Sequence, residues 1–283
     1  MSKIINVGPL AFYDSVKKQH HNKPYAFGQM WPLIVDFGKV PAFQFIANPS
    51  WASSTGSAPE FVALVRVDEN GNEIWTERPE VLKEAITAIG YETHTIYMSH
   101  DLDNLSLIGK TNNTIESGCY YIVVGDSLGN TYYSDIFAYK SNLTDAIRLE
   151  YSNSYNLRIG DKELLFDGSI RPFKPYIYID AQLGRPEYKF EEEVVSRLGY
   201  EYIESQVSKK VYKFNFVAQE YLIDALRIIR LCDNKKCTFE GEEYEMLVFD
   251  FEADWKEQGD LATVNASFEV DNIIANIGGL IKQ

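Results

Sequence analysis

The stretch KKVYKFNFVAQEYLIDALRIIRL, from Lys209 to Leu231, contains two patterns that follow one another directly. In its first part apolar and polar residues alternate up to Val217, and Tyr212, Phe214 and Phe216 fall on the same side. A period of two residues is typical of a β-strand with one buried face. This part therefore predicts a half-buried strand.

The second part, from Ala218 on, has the period of an α-helix. Glu220 lies in the predicted first turn, and Arg227 and Arg230 lie toward the last turn, an arrangement that suits the helix dipole. We therefore predict that the strand leads into a helix over about residues 218–231. The predicted apolar face of this helix contains Tyr221, Leu222, Ala225, Leu226, Ile228 and Ile229.

The composition favours a mainly β protein. The chain has 283 residues, of which 45% are hydrophobic and 14% aromatic, including 19 Tyr and 16 Phe. Aromatic residues favour strands, and this apolar content argues against disorder. At this length we expect two domains, each large enough to bury its own core, with a linker at about residues 140–145.

The net charge of −14 limits the kinds of partner. A protein that grips nucleic acid or an anionic membrane needs clustered Lys and Arg, so we expect neither partner, although DNA could slide past an acidic surface. The chain shows no apolar run typical of a signal peptide or a membrane span. We expect a protein made and kept in a cytosol, with Cys119, Cys232 and Cys237 as free thiols.

Residues 1–140 are predicted to form an antiparallel β-sandwich of the immunoglobulin or fibronectin kind, preceded by an extended N-terminal segment. Asn70-Gly71 lies between two apolar runs and predicts a hairpin. A second hairpin is predicted over residues 118–139, with its turn at 125–130. Residues 79–90 fit either a helix or a further strand pair, and we favour the helix because Pro lies near its start and Gly after its end.

Residues 146–283 are predicted to form a β-sandwich or barrel with one inserted helix. A long hairpin over residues 188–211 turns at Leu198-Gly199 and carries three consecutive acids, Glu191 to Glu193. We interpret these acids as a solvated strand edge that blocks wrong pairing. A further hairpin is predicted over residues 237–251. The remaining predicted strands cover residues 147–151, 157–166, 176–179 and 262–270.

Three motifs resemble binding sites but lack a required residue. Gly109-Lys110-Thr111 matches the end of a phosphate-binding loop, yet Asn104 occupies the position of the required glycine. The segment from Asp68 resembles a calcium loop, but Glu73 and Pro79 stand where the glycine and the bidentate carboxylate are needed. His100 with its neighbouring acids lacks a second histidine at a suitable spacing.

Nucleophilic catalysis also finds no support in the sequence. There is no Gly-x-Ser-x-Gly elbow, and Cys232 and Cys237 have the wrong spacing for a zinc or redox pair. A glycosidase-like carboxylate pair stays open, because such a site is defined by distance in space. We therefore predict no catalytic, cofactor-binding or metal-binding residues and no cofactor. The carboxylates available for such a pair include Glu191, Glu193, Asp250, Glu252 and Asp254.

Four sequence strings in residues 110–275 resemble virion structural proteins of tailed phages and prophages of Bacteroidales bacteria, including crAss-like phages. None of the four is a biochemical motif. The strings are Gly118-x-Tyr120-Tyr121-x-Val123-x-x-Asp126, Tyr133-Ser134-Asp135-x-Phe137, Tyr188-x-Phe190-Glu191-Glu192-Glu193, and Lys210-x-Tyr212-x-Phe214-x-Phe216-x-Ala218-x-Glu220-Tyr221-Leu222-x-Asp224-Ala225.

The resemblance implies a component of the tail tube, the tail hub or the head–tail junction. Such proteins are β-sandwiches or barrels flanked by a helix, and they form rings whose inner sheet lines the DNA channel. The resemblance therefore implies a tail-tube-like second domain, a ring homo-oligomer, other tail or junction proteins as partners, and location in a virion made in the host cytoplasm. This implication rests on fold analogy.

The sequence leaves three functions open. The first is the non-enzymatic assembly protein that the resemblance implies. The second is a carbohydrate-binding or adhesion protein, in which Trp51, Trp75 or Trp255 stacks on sugar, with Trp51 in a loop-like segment at residues 48–59. The third, ranked last, is a β-rich hydrolase with a carboxylate pair.

Overall fold

The computed structural model describes residues 3–6, 8–14, 32–36, 39–48, 59–68, 70–77, 86–90, 95–99, 116–126, 129–159, 162–166, 173–197, 199–255 and 261–276. In these residues the protein is mainly β, with one helix, α1 (Glu220–Leu231). The described strands are β1 (Lys3–Asn6), β2 (Phe12–Asp14), β3 (Leu33–Asp36), β4 (Gln44–Asn48), β5 (Phe61–Val67), β6 (Glu73–Glu77), β7 (Ile86–Gly90), β8 (Thr95–Ser99), β9 (Gly118–Gly125), β10 (Thr131–Ser134), β11 (Phe137–Lys140), β12 (Ile147–Ser152), β13 (Leu157–Ile159), β14 (Lys162–Leu164), β15 (Tyr176–Ile179), β16 (Glu187–Arg197), β17 (Tyr200–Gln219), β18 (Asn234–Phe239), β19 (Glu242–Glu245), β20 (Val248–Trp255) and β21 (Leu261–Asn276).

The largest sheet has 11 strands, with β5 and β6 branching from β9 of the path β19-β18-β12-β15-β3-β11-β9-β10-β2. Strands from both halves of the chain meet in it, through the pairing of Ile34 in β3 with Tyr178 in β15. β3 runs parallel to β11, whereas the other pairs are antiparallel. The division into residues 1–140 and 146–283 stays a prediction, with its boundary between β11 and β12.

A four-stranded sheet, β1-β4-β8-β7, packs against the large sheet through stacked aromatic rings. The ring of Phe45 lies between Phe12 and Tyr97, at centroid distances of 4.4 and 4.8 Å. All three side chains are buried. Offset aromatic contacts at these distances stabilise a core beyond the area they bury. The aromatic content that predicts strands therefore also supplies the contact between the two sheets.

Two hairpins turn on the same five-residue pattern, Asp-x-x-Gly-Asn. In each turn the Asp side chain accepts hydrogen bonds from the backbone and side-chain amides of the Asn four residues later, Asn72 for Asp68 and Asn130 for Asp126. Gly71 and Gly129 both have φ of +82°, which favours glycine. The two predicted hairpins, β5–β6 and β9–β10, are confirmed.

Two predictions were wrong in part. The favoured helix at residues 79–90 does not extend over its last part, because Ile86–Gly90 is strand β7 and pairs with β8. Ile86 and Ala88 are buried with Thr87 between them, so burial follows a period of two rather than a helical period. The predicted hairpin over 237–251 is confirmed for β18 and β19, which pair across a turn at residues 240–241, but β20 does not continue it and pairs with β21 in another sheet.

A second four-stranded sheet, β16-β17-β21-β20, is wholly antiparallel, and we call it the arm sheet. The predicted change from strand to helix is confirmed, since β17 ends at Gln219 and α1 begins at Glu220. Helix α1 packs on the arm sheet against β17 and β20. Its buried residues are Ile223, Ala225, Leu226 and Ile229.

Candidate functional surface: the arm sheet

The arm sheet has two parts, which we call the base and the arm. In the base, residues 211–219 of β17 pair with 261–269 of β21, and β20 pairs with β21 on the side away from β17. The arm contains β16, residues 200–210 of β17 and residues 271–276 of β21. No arm side chain that the structure describes is buried. The arm is therefore a three-stranded ribbon that projects beyond the core.

One face of the arm carries five of its seven exposed large apolar side chains, between polar ones, and we call it the apolar face. Phe190 lies opposite Ser208, which lies opposite Ile273, so all three side chains point to the same side. The exposed fractions of the Phe190 and Ile273 side chains are both 64%. The large residues of this face are Tyr188, Phe190, Val194, Ile203 and Ile273.

The apolar face continues the face that forms the core of the base. Along β17, Ser208 and Lys210 stand on the same side as Tyr212 and Phe214, both of which are buried. Lys210 lies at the boundary, with its Nζ 5.3 Å from the centre of the Tyr212 ring. A hydrogen bond to Tyr212 raises the pKa of Lys210 above its ordinary value. The positive charge of Lys210 is thus held against the first buried ring.

The opposite face of the arm is ionic, and we call it the ionic face. The Lys209 Nζ is 2.7 Å from the Glu191 Oε1 and 3.9 Å from a Glu269 carboxylate oxygen. The hydrogen bond to Glu191 raises the pKa of Lys209. Beside this group, the Lys213 Nζ lies 2.7 Å from a Glu187 carboxylate oxygen. Ion pairs therefore link acidic and basic side chains of this face across the strands.

The three consecutive acids lie on strand β16, at the edge of the arm sheet. All three are exposed, and each is bonded to the neighbouring strand: Glu191 to Lys209, Glu192 to Gln206 and Glu193 to Ser205. Within a single chain this agrees with the interpretation of a solvated edge. Glu191 and Glu193 point to the ionic face rather than into the core.

The outer face of the base is polar and acidic. Glu252, Asn265 and Asn215 lie in one row across β20, β21 and β17, and all are exposed. Asp250 and Asp254 lie on the same face of β20, on either side of this row. Asp250 also reaches the end of α1, where its Oδ1 is 3.3 Å from a guanidinium nitrogen of Arg230.

The contacts of Asp68 and of the cysteines indicate structural roles. Hydrogen bonds from Asn72 lower the pKa of Asp68, so the calcium-like segment is a hairpin turn. Burial raises the pKa of the Cys232 and Cys237 thiols to about 12, which disfavours the reactive thiolate. Neither thiol forms a disulfide, and the same holds for Cys119.

Several candidates lie outside the described residues: Trp51, His100 with its acids, and Gly109-Lys110-Thr111. Among the residues that are described, no group of three His, Cys, Asp or Glu side chains is placed to hold a metal ion. In the same residues no helix combines the length and apolar character that a membrane crossing requires. Trp255, at the end of β20, is 46% exposed.

Sequence reasoning missed the apolar face, although it predicted the hairpin that carries most of it. The missing element is the third strand of the arm, residues 271–276, because the predicted last strand ended at 270. Ile273 and Ile274 are a signal for that strand, since two β-branched residues favour extended backbone.

No protein-family profile, curated protein or solved structure matches this chain. The arm sheet is therefore interpreted from its own geometry.

Proposed function

We propose that this chain is a non-enzymatic structural subunit that assembles with copies of itself into a ring or tube. Its place is the one that the resemblance implies, a phage tail or head–tail junction with other tail proteins as partners. The observation that carries the proposal is the pair of edges of the arm sheet. In the described part of the chain, β16 pairs only with β17 and β20 only with β21.

The directions of these edge strands support ring closure. Because all four strands alternate in direction, β16 and β20 run opposite to each other. A β20 strand of one copy can therefore pair with β16 of the next in an unbroken antiparallel sheet, for any number of copies. This head-to-tail contact uses two different surfaces of one chain, as a ring requires.

The stagger of the arm sheet supports closure into a barrel. β16 pairs with residues 200–211 of β17, whereas β20 lies level with the other end of that strand. Closing a sheet into a barrel requires tilted strands and such a shift in register. The polar outer face, with Asp250, Glu252 and Asp254, suits the inner wall of a channel, because carboxylates repel the phosphates of passing DNA.

The test is the assembly state of the purified chain, measured by size-exclusion chromatography with light scattering and by negative-stain electron microscopy. We expect rings or short tubes, with an assembled fraction that rises with protein concentration. A particle that stays a monomer at every concentration would contradict the proposal. Portal, tail or terminase genes beside the coding gene would support it independently.

A glycan-binding protein is the second candidate, and the exposed Trp255 ring is the observation that favours it. This function predicts that a monomer binds glycans and that Trp255→Ala abolishes binding on a glycan array. The structural proposal predicts no Trp255-dependent glycan binding.

A further inference from the structure

The arm holds half of the large apolar side chains that are exposed in the described residues, 7 of 14. The other seven are spread over strand β6, two loops, the end of α1 and the base, and they are Ile74, Tyr155, Val217, Leu231, Leu247, Val248 and Trp255. Scattered apolar residues are normal on a protein surface, whereas a contiguous apolar patch marks an interaction site.

The size of the apolar face is that of a protein–protein contact. Its five large side chains are between 37% and 64% exposed. Together they present an apolar area on the order of 500 Å², in the upper range for the largest patch of a monomer. Two such faces in contact would bury about 1,000 Å², which meets the lower limit of a specific interface.

We propose that the apolar face of the arm binds the same face of the arm of a second copy of this chain. A second copy offers a sheet face of the same length and the same apolar character, and two such faces pack as aligned sheets. In the described residues this face carries five of the 14 exposed large apolar side chains, so arm against arm is the match that the chain itself supplies.

The charges on the apolar face favour two arms that run in opposite directions. Lys210 and Asp271 face each other at the end near the base, whereas Glu192 and Glu201 stand toward the tip. Antiparallel arms bring Lys210 of each copy toward the acidic tip of the other, whereas parallel arms place the two acidic tips side by side. Opposite charges across an interface fix orientation and suppress the wrong arrangement.

The charges also disfavour a nucleic acid as the occupant. In the rows from Tyr188 to Glu192, Lys210 is the one cation of this face, and it is already bonded to Tyr212. Glu192 and Asp271 stand on the same face and would repel phosphate.

This inference rests on the proposed self-assembly but concerns a different contact. A two-fold contact uses the same surface on both copies and closes after two, so it adds pairs and cannot extend a ring. The ring contact uses the edges of β16 and β20, whereas the pair contact uses the apolar face. The two contacts can therefore be broken separately.

Ile273 and Ile274 provide a matched pair of variants. They are neighbours of the same residue type, 64% and 65% exposed, and point to opposite faces of the arm. We expect Ile273→Asp to weaken pairing of the full-length chain at least tenfold in analytical ultracentrifugation, because it places a charge in the contact. Ile274→Asp, on the ionic face, is expected to pair like the unmodified chain. Circular dichroism should show the same fold and melting temperature for both.

Lys210→Glu and its control Lys213→Glu test the charge arrangement. Lys210 lies on the apolar face and Lys213 on the opposite one, so Lys210→Glu is expected to weaken pairing severalfold and Lys213→Glu to leave it unchanged. Equal effects of Ile273→Asp and Ile274→Asp would overturn the proposed contact. So would a chain that stays monomeric by itself but captures a different protein through the arm.

The outcomes also separate this inference from the proposed function. If rings form and Ile273→Asp changes nothing, the arm contact is wrong and the ring proposal stands. If the chain forms pairs that Ile273→Asp abolishes but never forms rings, the arm contact stands and the ring proposal is wrong.

Discussion

The base and the arm share strand β17, yet one is part of the core and the other is exposed. Phe214, in the base, is 2% exposed, whereas Phe190, on the same face of the sheet in the arm, is 64% exposed. Along β17 this face carries Tyr212, Phe214 and Phe216 in the base, but Gln206, Ser208 and Lys210 in the arm. The second layer differs too, because α1 packs on the base and Tyr244 of β19 contacts Tyr212 where the base meets the arm. The arm begins where this layer stops.

This comparison shows that an apolar strand face predicts burial but not what buries it. In the base the chain supplies its own cover. In the arm the same face of the sheet continues without a cover, and we propose that another copy supplies it. The two parts should therefore respond differently to the same substitution, which makes the comparison testable.

The largest effect is expected from a charge in the base. Leu226 of α1 is fully buried, so Leu226→Asp would place an unpaired carboxylate in the core and cost about 4 kcal/mol or more. We expect the variant to lose the cooperative unfolding transition of this part in urea, followed by circular dichroism. A variant that keeps its stability would show that α1 does not form the core with the arm sheet.

Removal of one aromatic ring compares the two parts directly. Phe214→Ala is expected to lower the free energy of unfolding by about 3–5 kcal/mol, because it leaves a cavity. Phe190→Ala removes an exposed ring and is expected to change the stability of the monomer by less than about 0.5 kcal/mol. Urea denaturation at a concentration below that of assembly measures both. Similar losses would show that the arm is covered within a single chain.

A smaller effect is expected where the base meets the arm. Gly184 donates a backbone hydrogen bond of 2.9 Å to the carbonyl oxygen of Lys213, and a Cβ at Gly184 would lie 2.9 Å from the same atom. Gly184→Ala should push this segment away from β17 and cost about 1–3 kcal/mol. Gly199→Asn is the control, because the space around Gly199 at the arm tip is open and Asn tolerates its positive φ. Thermal melts of the two variants should differ; equal melting temperatures would contradict the close contact.

The smallest effect concerns the ionic face and depends on pH. The pKa of Lys209 is raised in the folded protein, chiefly by Glu191. Its contribution to stability is therefore complete below the ordinary lysine pKa of 10.5 and is lost as the pH rises through the higher folded value. We expect melting temperatures of the unmodified chain and Lys209→Met to differ slightly at pH 8 and to converge above pH about 11. A difference that grows with pH would show that the ion pair does not stabilise the arm.

Local patterns in the sequence predicted the elements whose signals are local. The change of period at residues 217–218 located the end of β17 and the start of α1 to within two residues, and Asn70-Gly71 located a hairpin. The failures depend on distant contacts. Residues 86–90 form a strand because β8 pairs with them. β20 does not belong to the predicted hairpin with β18, because it pairs with β21 in another sheet.

The candidate surface was predictable only in part. The hairpin of β16 and β17 follows from its alternation and from Leu198-Gly199, but the third strand of the arm pairs across more than 60 residues of chain. The exposure of the apolar face has one sequence signal, the polar residues Gln206, Ser208 and Lys210 on that face of β17. The end of the layer formed by α1 and β19, which depends on distant contacts, has no such signal.

The central claim is that a second copy covers the apolar face of the arm. Amide hydrogen exchange at low and high protein concentration tests it most directly, because it measures the protection of the arm and of the base in one sample. If a second copy covers the apolar face, exchange in residues 187–210 and 271–276 should slow as concentration rises, and exchange in residues 212–219 should stay the same. Ile273→Asp should remove the concentration dependence. Exchange in the arm that is equally fast at every concentration would contradict the claim.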